Sequence, residues 1–329
     1  MAAIDLAPGT RSRPVARGLT VPTVLSLLAA GLLVVTSVAG LWYGQRGLYT
    51  PDPATLPAFL GQDAVTLVAG LPLLLGSMWA ARRGSVRGLL LWVGTLFYVA
   101  YSYAYYPLNP EFNALYLAYI AIVSLSGYGL LSLLLGTDAE AVRARFSERT
   151  PVRLIGGFMA VMGALFALKW VATITAHLMA GTTPTHIDLT VWPMDLVIAL
   201  PATFWGGVWL WRRQPLGYVV AGLLLLKMAL LGCTLVLNTW LVTLWGRPPD
   251  PMVPFYATIG LGGLALLVAY LRCVRETSPD PAGGGGHSGS AWDRSSSPAM
   301  GDLAAVQGTR AVAVPLLRVF PDAEEARRG

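Results

Sequence analysis

The chain has 329 residues, of which 55% are hydrophobic and only 12% are Asp, Glu, Lys or Arg. A soluble domain carries about twice that charged share, and surface-to-volume scaling gives a soluble protein of this length nowhere to bury so much apolar surface. A water-soluble enzyme, a disordered protein and a disulfide-stapled secreted module are therefore excluded. The formal charge of +6 comes from arginine clusters between apolar segments, which is no signature of nucleic-acid binding.

Eight apolar blocks follow one another, each near the twenty residues that cross a ~30 Å hydrocarbon layer as helix. They cover residues 21–43, 63–81, 88–106, 112–135, 154–177, 191–211, 216–245 and 254–271. The expected fold is an all-α polytopic membrane protein. Its expected parts are an N-terminal segment (1–20), a first four-helix unit (21–136), a charged linker (137–153), a second four-helix unit (154–273) and a tail (274–329). From residue 278 the composition turns to Pro, Gly and Ser, with glycines 283–286 and serines 295–297, which predicts disorder. Cys233 and Cys273 lie in apolar blocks and read as small hydrophobes rather than a bridge or a metal site.

The basic residues orient the spans. Fourteen arginines fall on one set of sides: Arg11, Arg13, Arg17, Arg82, Arg83, Arg87, Arg143, Arg145, Arg149, Arg153, Arg212, Arg213, Arg272 and Arg275. The opposite sides hold Arg46 and Arg247 with Asp52, Glu111, Asp188 and Asp250. That asymmetry predicts a plasma-membrane protein with both termini in the cytoplasm. Ser37-Val38-Ala39 before Gly40 offers a rival reading, a cleaved secretory signal that would leave seven helices.

The second and sixth blocks look like copies. Asp63, Pro72, Trp79 and Arg82-Arg83 match Asp195, Pro201, Trp209 and Arg212-Arg213 at offsets of 129–132. Pro22 and Pro151 match at 129. This predicts a tandem duplication whose halves enter the membrane in the same sense, with a site between them. Pro72 and Pro201 each remove a backbone hydrogen bond, so paired helix bends either open a cavity there or simply improve packing.

Ionisable groups at membrane depth are the functional candidates. Lys169 and Lys227 are the only lysines among 23 basic residues, and both lie inside apolar blocks. Unlike arginine, a desolvated lysine can lose its proton. Lys227 has no basic counterpart in the first half, where the match falls around Phe97. Asp63, Asp195 and Glu111, at the outer helix ends, are the available counter-charges. Asp63 and Asp195 read either as helix caps or as a two-carboxylate mouth for a cation or protonated substrate. Asn113, Asn238, Thr173 and Thr175 can add hydrogen bonds. Tyr98, Tyr101 and Tyr105 fall on one helical face and read first as an interfacial aromatic belt, with Trp79, Trp192, Trp209, Trp211 and Trp245 as anchors.

Several chemistries lack their parts. His177, His186 and His287 place no pair inside the bundle for haem or zinc, and the glycine run lacks a phosphate-loop Lys-Ser/Thr. A retinal-type Schiff base at Lys227 has no carboxylate counter-ion on the third helix. No cofactor and no metal is expected.

The stretches Gly61-Gln62-Asp63, Leu71-Pro72-Leu73-Leu74-Leu75 and Ala81-Arg82-Arg83-Gly84-Ser85 resemble a group of bacterial multi-span proteins of about eight helices without an assigned activity. Glu111-Phe112-Asn113 and Pro215-Leu216-Gly217-Tyr218 are similar to the same group. The resemblance covers residues 20–273 and implies no functional residues. Three functional readings remain. The first is a non-enzymatic membrane protein that binds or moves a small solute or ion between its halves. The second is an accessory subunit whose charges pair with a membrane-protein partner or a second copy. The third, weaker, is an enzyme acting on lipid or isoprenoid substrates. The bilayer is the one certain surrounding, and nucleic acid is not an expected partner.

Overall fold

A computed structural model describes residues 16–49, 56–108, 112–244, 246, 248–249 and 251–276. The tail expected to be disordered lies outside them, as do Glu111, Asp52, Asp250 and Trp245. Among the described residues, eight helices are long and apolar enough to cross a membrane. They are α1 Thr20–Arg46, α2 Leu56–Arg82, α3 Val86–Leu108, α4 Tyr116–Gly136, α5 Val152–Ala180, α6 Asp188–Trp211, α7 Pro215–Leu244 and α8 Val253–Arg272. The chain is an all-α integral membrane protein, and among the described residues the only extended pairings are two isolated bridges.

Helices α3 and α7 form the centre, with 67% of their apolar windows buried against 22–39% for the other six. They pack on each other, and each also holds the helices on either side of it in sequence. Small residues permit the close crossing: a Cβ on Gly94 would lie 2.8 Å from Leu226 Cδ2 and 3.3 Å from Leu223 Cα. In the first half α1 packs along both α2 and α4 and closes the bundle. The second half is looser, because α5 packs mainly on α6 and meets α8 through a Phe166–Phe255 stack at 4.6 Å.

The halves share a local geometry at one offset. A five-residue π segment interrupts α2 at Thr66–Gly70 and α6 at Asp195–Ala199, and a twelve-residue α-helix opening Leu-Pro follows each. Leu71 N–H bonds Thr66 O and Leu200 N–H bonds Asp195 O, the five-residue reach of a π turn. That wider turn relieves the clash a proline ring makes with the carbonyl one α-turn back. At the next turn, Ser85 N–H bonds Ala80 O and Gln214 N–H bonds Trp209 O. Positive φ falls at Gly84 (89°) and at Arg213 (55°). A Cβ on Gly88 would meet Ala81 N at 2.6 Å, and one on Gly217 would meet Leu210 N at 2.4 Å. Every pair is 129 residues apart. Arg17 N–H to Gly136 O recurs as Ser147 N–H to Cys273 O, both beside the isolated bridges.

This register corrects the sequence alignment. At 129, Asp195 corresponds to Thr66, Asp63 to Trp192, and Lys227 to Tyr98 rather than Phe97. The Trp-x-x-Arg-Arg match, at 130, is one residue out of step. Helix α7 has 30 residues against 23 in α3, so the last helices are further offset.

The 137–153 linker is more than a charged tether. Asp138 caps a short helix, Ala139–Ala144, by accepting from Glu140 N and Ala141 N at 3.0 Å, and that helix packs on α7. Beyond α8, Glu276 caps α3 from a distance: its carboxylate accepts from Ser85 Oγ (2.8 Å), Arg87 N (2.9 Å) and Val86 N (3.0 Å). Anions at a helix N-terminus are stabilising. Glu276→Ala should therefore cost about 1–2 kcal/mol in unfolding measurements, the scale of a lost N-cap.

Candidate functional site

A cavity of about 460 Å³ lies chiefly in the second half, between α5, α6, α7 and α8. Its remaining wall comes from α2 and α3, through Ala58, Gln62, Tyr101, Ser102 and Tyr105. It extends from Asp188 and Val242 near the arginine-poor helix ends to Thr203 and Met228 deeper in.

The π segment of α6 places Asp195 on the cavity wall, and the residue is only 7% exposed. Tyr101 on α3 donates its hydroxyl to Oδ1, and the Trp170 indole on α5 donates to Oδ2 at 2.9 Å. Lys227 on α7, 6% exposed, brings Nζ to 4.0 Å from Oδ1 and 4.1 Å from the Tyr101 ring centroid. Lys227 lies twelve residues past Pro215, roughly 18 Å from the arginine-rich end at 1.5 Å per residue. Lys169 also lines the cavity, its Nζ 3.9 Å from the Trp170 ring centroid. Ser102 Oγ and Asn238 Oδ1 are buried at the wall without a hydrogen-bond partner.

Of the expected site residues, Asp195, Lys227 and Lys169 thus share one cavity, and Asp63 does not. Asp63 is fully buried in the first half, where Tyr49 donates to Oδ2 (2.7 Å) and Tyr106 to Oδ1 (3.2 Å). Phe59, Tyr103 and Tyr119 complete that aromatic cluster, with Tyr106 stacked on Tyr119 at 4.4 Å. Burial, with the adjacent carboxylate second, pushes the Tyr49 hydroxyl far above its ordinary range, so it stays a donor. Asp63 and Asp195 therefore form no two-carboxylate mouth; the second carboxylate on the cavity lining is Asp188. Neither Asp63 nor Asp195 caps a helix, because α2 begins at Leu56 and the helical turns leading into Asp195 begin at His186. The acidic cap is Asp188, which accepts from Thr185 N and Oγ1 at 3.2 and 2.7 Å. Glu111 lies outside the described residues. Of the two prolines, Pro201 lies within the stretch that frames the cavity through Asp195, Leu200 and Thr203, and Pro72 follows a π segment that does not line it.

The tyrosines of α3 form no lipid-facing belt. Tyr98 is 1% exposed and bonds Gln62 and Thr234, and Tyr101 and Tyr105 line the cavity. Trp192 is buried too, whereas Trp79 and Trp211 are exposed as interfacial anchors would be. Trp170 was missed by sequence reasoning; its one signal is a position beside Lys169, deep within an apolar block and away from either interface.

No protein family, no curated protein and no solved structure matches this chain.

Proposed function

We propose that this integral membrane protein binds or moves a small solute in the Lys227–Asp195 cavity. The observation that carries this reading is a buried ion pair facing a space of ligand size. Small-molecule sites are apolar cavities of about 300–1,000 Å³ with a few convergent polar groups, and charges at membrane depth are costly enough to mark solute pathways. The matched π segments and turns support a duplicated four-helix unit, and Gly94 lying against Leu223, 129 residues on, fits an axis along the membrane normal. The arginine distribution supports cytoplasmic termini in a bacterial plasma membrane, with the cavity reached from the outer side.

Thiol accessibility tests the reading. With Cys233 and Cys273 replaced by serine, a cysteine at position 238 or 203 should react with a small water-soluble thiol reagent applied to the arginine-poor side. Leu235→Trp, which adds bulk on the cavity wall, should block that reaction. A position 238 that stays unreactive from both sides would sink the proposal.

A further inference from the structure

We propose that the cavity takes an uncharged single-chain amphiphile with a carbonyl head, which enters from the bilayer between α5 and α8 and sets its carbonyl oxygen on Lys227. The assignment rests on the cavity being the binding site, as argued above.

Charge decides the head first. Four charged side chains line the cavity, two of each sign: Lys169 and Lys227, Asp188 and Asp195. The lining is balanced as it stands. A guest of either sign would bring an uncompensated charge to membrane depth, where charges are held in pairs. An uncharged head keeps the balance.

Hydrogen bonding then selects an acceptor. Both Asp195 oxygens already accept a bond, from Tyr101 and from Trp170. Lys227 carries three N–H donors, and the described residues bring it no acceptor at hydrogen-bond distance: Asp195 Oδ1 is 4.0 Å away and the Tyr101 ring centroid 4.1 Å. Buried donors left unmet are costly. An ester or ketone oxygen supplies an acceptor to the ammonium without adding charge, and a bond to a charged donor is the stronger kind. Met228, Leu231 and Leu235, on the same helix as Lys227, also line the cavity and offer apolar surface to an alkyl chain.

The route follows from a contact that the second half lacks. In the first half α1 packs along α4 and closes the ring of helices. At the matching place α5 and α8 form no comparable packing. Side chains bridge them instead: Phe166 stacks on Phe255 at 4.6 Å, and Phe158 reaches Gly262, where an added Cβ would lie 3.4 Å from Phe158 Cζ. Met162 on α5 and Ile259 on α8 fall between these two bridges along their helices, and both line the cavity. A pair of phenylalanine rings that can change rotamer, rather than a tight helix crossing, thus separates this side of the cavity from lipid. An uncharged chain dissolved in the bilayer meets that seam directly.

The probe is the methyl ester of a ten-carbon acid with a mid-chain diazirine, photolysed with the full-length protein in nanodiscs and mapped by mass spectrometry. Label should fall on α5 and α8 around Met162 and Ile259. Methyl decanoate should compete for it, while decanoate, decylammonium and decane, at equal mole fraction in the bilayer, should compete at least tenfold less well. Lys227→Met with Asp195→Asn removes one charge of each sign, so the balance stays, and decane should then compete as well as the ester. Decanoate or decylammonium competing as well as the ester would overturn the uncharged head. Decane competing equally in the unaltered protein, or an ester preference that survives the double variant, would overturn the bond to Lys227. Phe255→Ala removes the outer bridge, so labelling at short times after the probe is added should rise at least threefold; an unchanged rate overturns entry between α5 and α8. A reactive cysteine at position 238 with no competed label overturns this guest alone, whereas an unreactive one takes the functional reading down with it.

Discussion

Lys227→Met alone should destabilise the protein by about 3–5 kcal/mol, the cost of leaving a buried charge without its partner. Adding Asp195→Asn should recover most of that loss. Tyr101 and Trp170 would still hold the Asp195 carboxylate in the single variant, but hydrogen bonds alone do not offset a desolvated charge. In the double variant the asparagine carbonyl accepts from Trp170, and its amide can donate to the Tyr101 hydroxyl. Thermal or denaturant unfolding in nanodiscs closes the double-mutant cycle. Equal losses in the single and double variants would show that the two groups are uncoupled across 4.0 Å, with something else in the cavity neutralising each of them.

The same pair sets the halves apart. In the 129-residue register, Lys227 and Asp195 occupy the places of Tyr98 and Thr66. There the first half has a neutral network: Gln62 Nε2 donates to Tyr98 at 3.0 Å and to Thr66 Oγ1 at 3.2 Å. The first half is closed by α1 packing on α4 and filled by tyrosines; the second is looser and lined by charge. The first half therefore carries a tyrosine-filled polar core and the second a ligand-sized space, and Gln62 of the neutral network also lines that space.

The sequence exposed the frame better than the site. Twenty-residue apolar blocks separated by arginines are legible because lipid enforces them, and all eight blocks correspond to helices. Helix starts were less legible. Hydropathy begins α2 at Asp63, yet Leu56, Phe59 and Gln62 before it are helical and buried. The shared offset of 129 was visible in Pro72 and Pro201, but the tryptophans and arginines match one residue away from it and the aspartates three, because the matching feature is backbone turn geometry and not side-chain identity. Facing was hidden altogether. A membrane helix that is apolar all round shows no stripe to say which side is buried, so nothing separated Tyr101 at the cavity from a tyrosine at the lipid surface. The Asp195 contacts join positions 101, 170, 195 and 227, a set with no local spacing to detect.

Asp63 offers the converse test. Asp63→Ala would remove the shared acceptor of Tyr49 and Tyr106, leaving Tyr106 without it and Tyr49 with only a 3.5 Å contact to Tyr119, at about 1–3 kcal/mol for a buried hydroxyl left unmet. Asp63→Asn keeps a carbonyl acceptor, and its amide can donate to a tyrosine oxygen, so it should cost clearly less. Gly40→Ala attacks the same place by volume. The added Cβ would lie 1.9 Å from Asp63 Oδ2 and 2.4 Å from Tyr49 Oη, so the cluster must rearrange, at about 1–3 kcal/mol for overpacking. All three losses should appear in unfolding measurements. Asp63→Asn should leave the thiol reactivity of a cysteine at position 238 unchanged, since Asp63 does not line the cavity. A folded Asp63→Asn protein in which that cysteine no longer reacts would mean that the first half controls the cavity, with α3 as the connection: it carries Tyr106 to Asp63 and Tyr101 to Asp195.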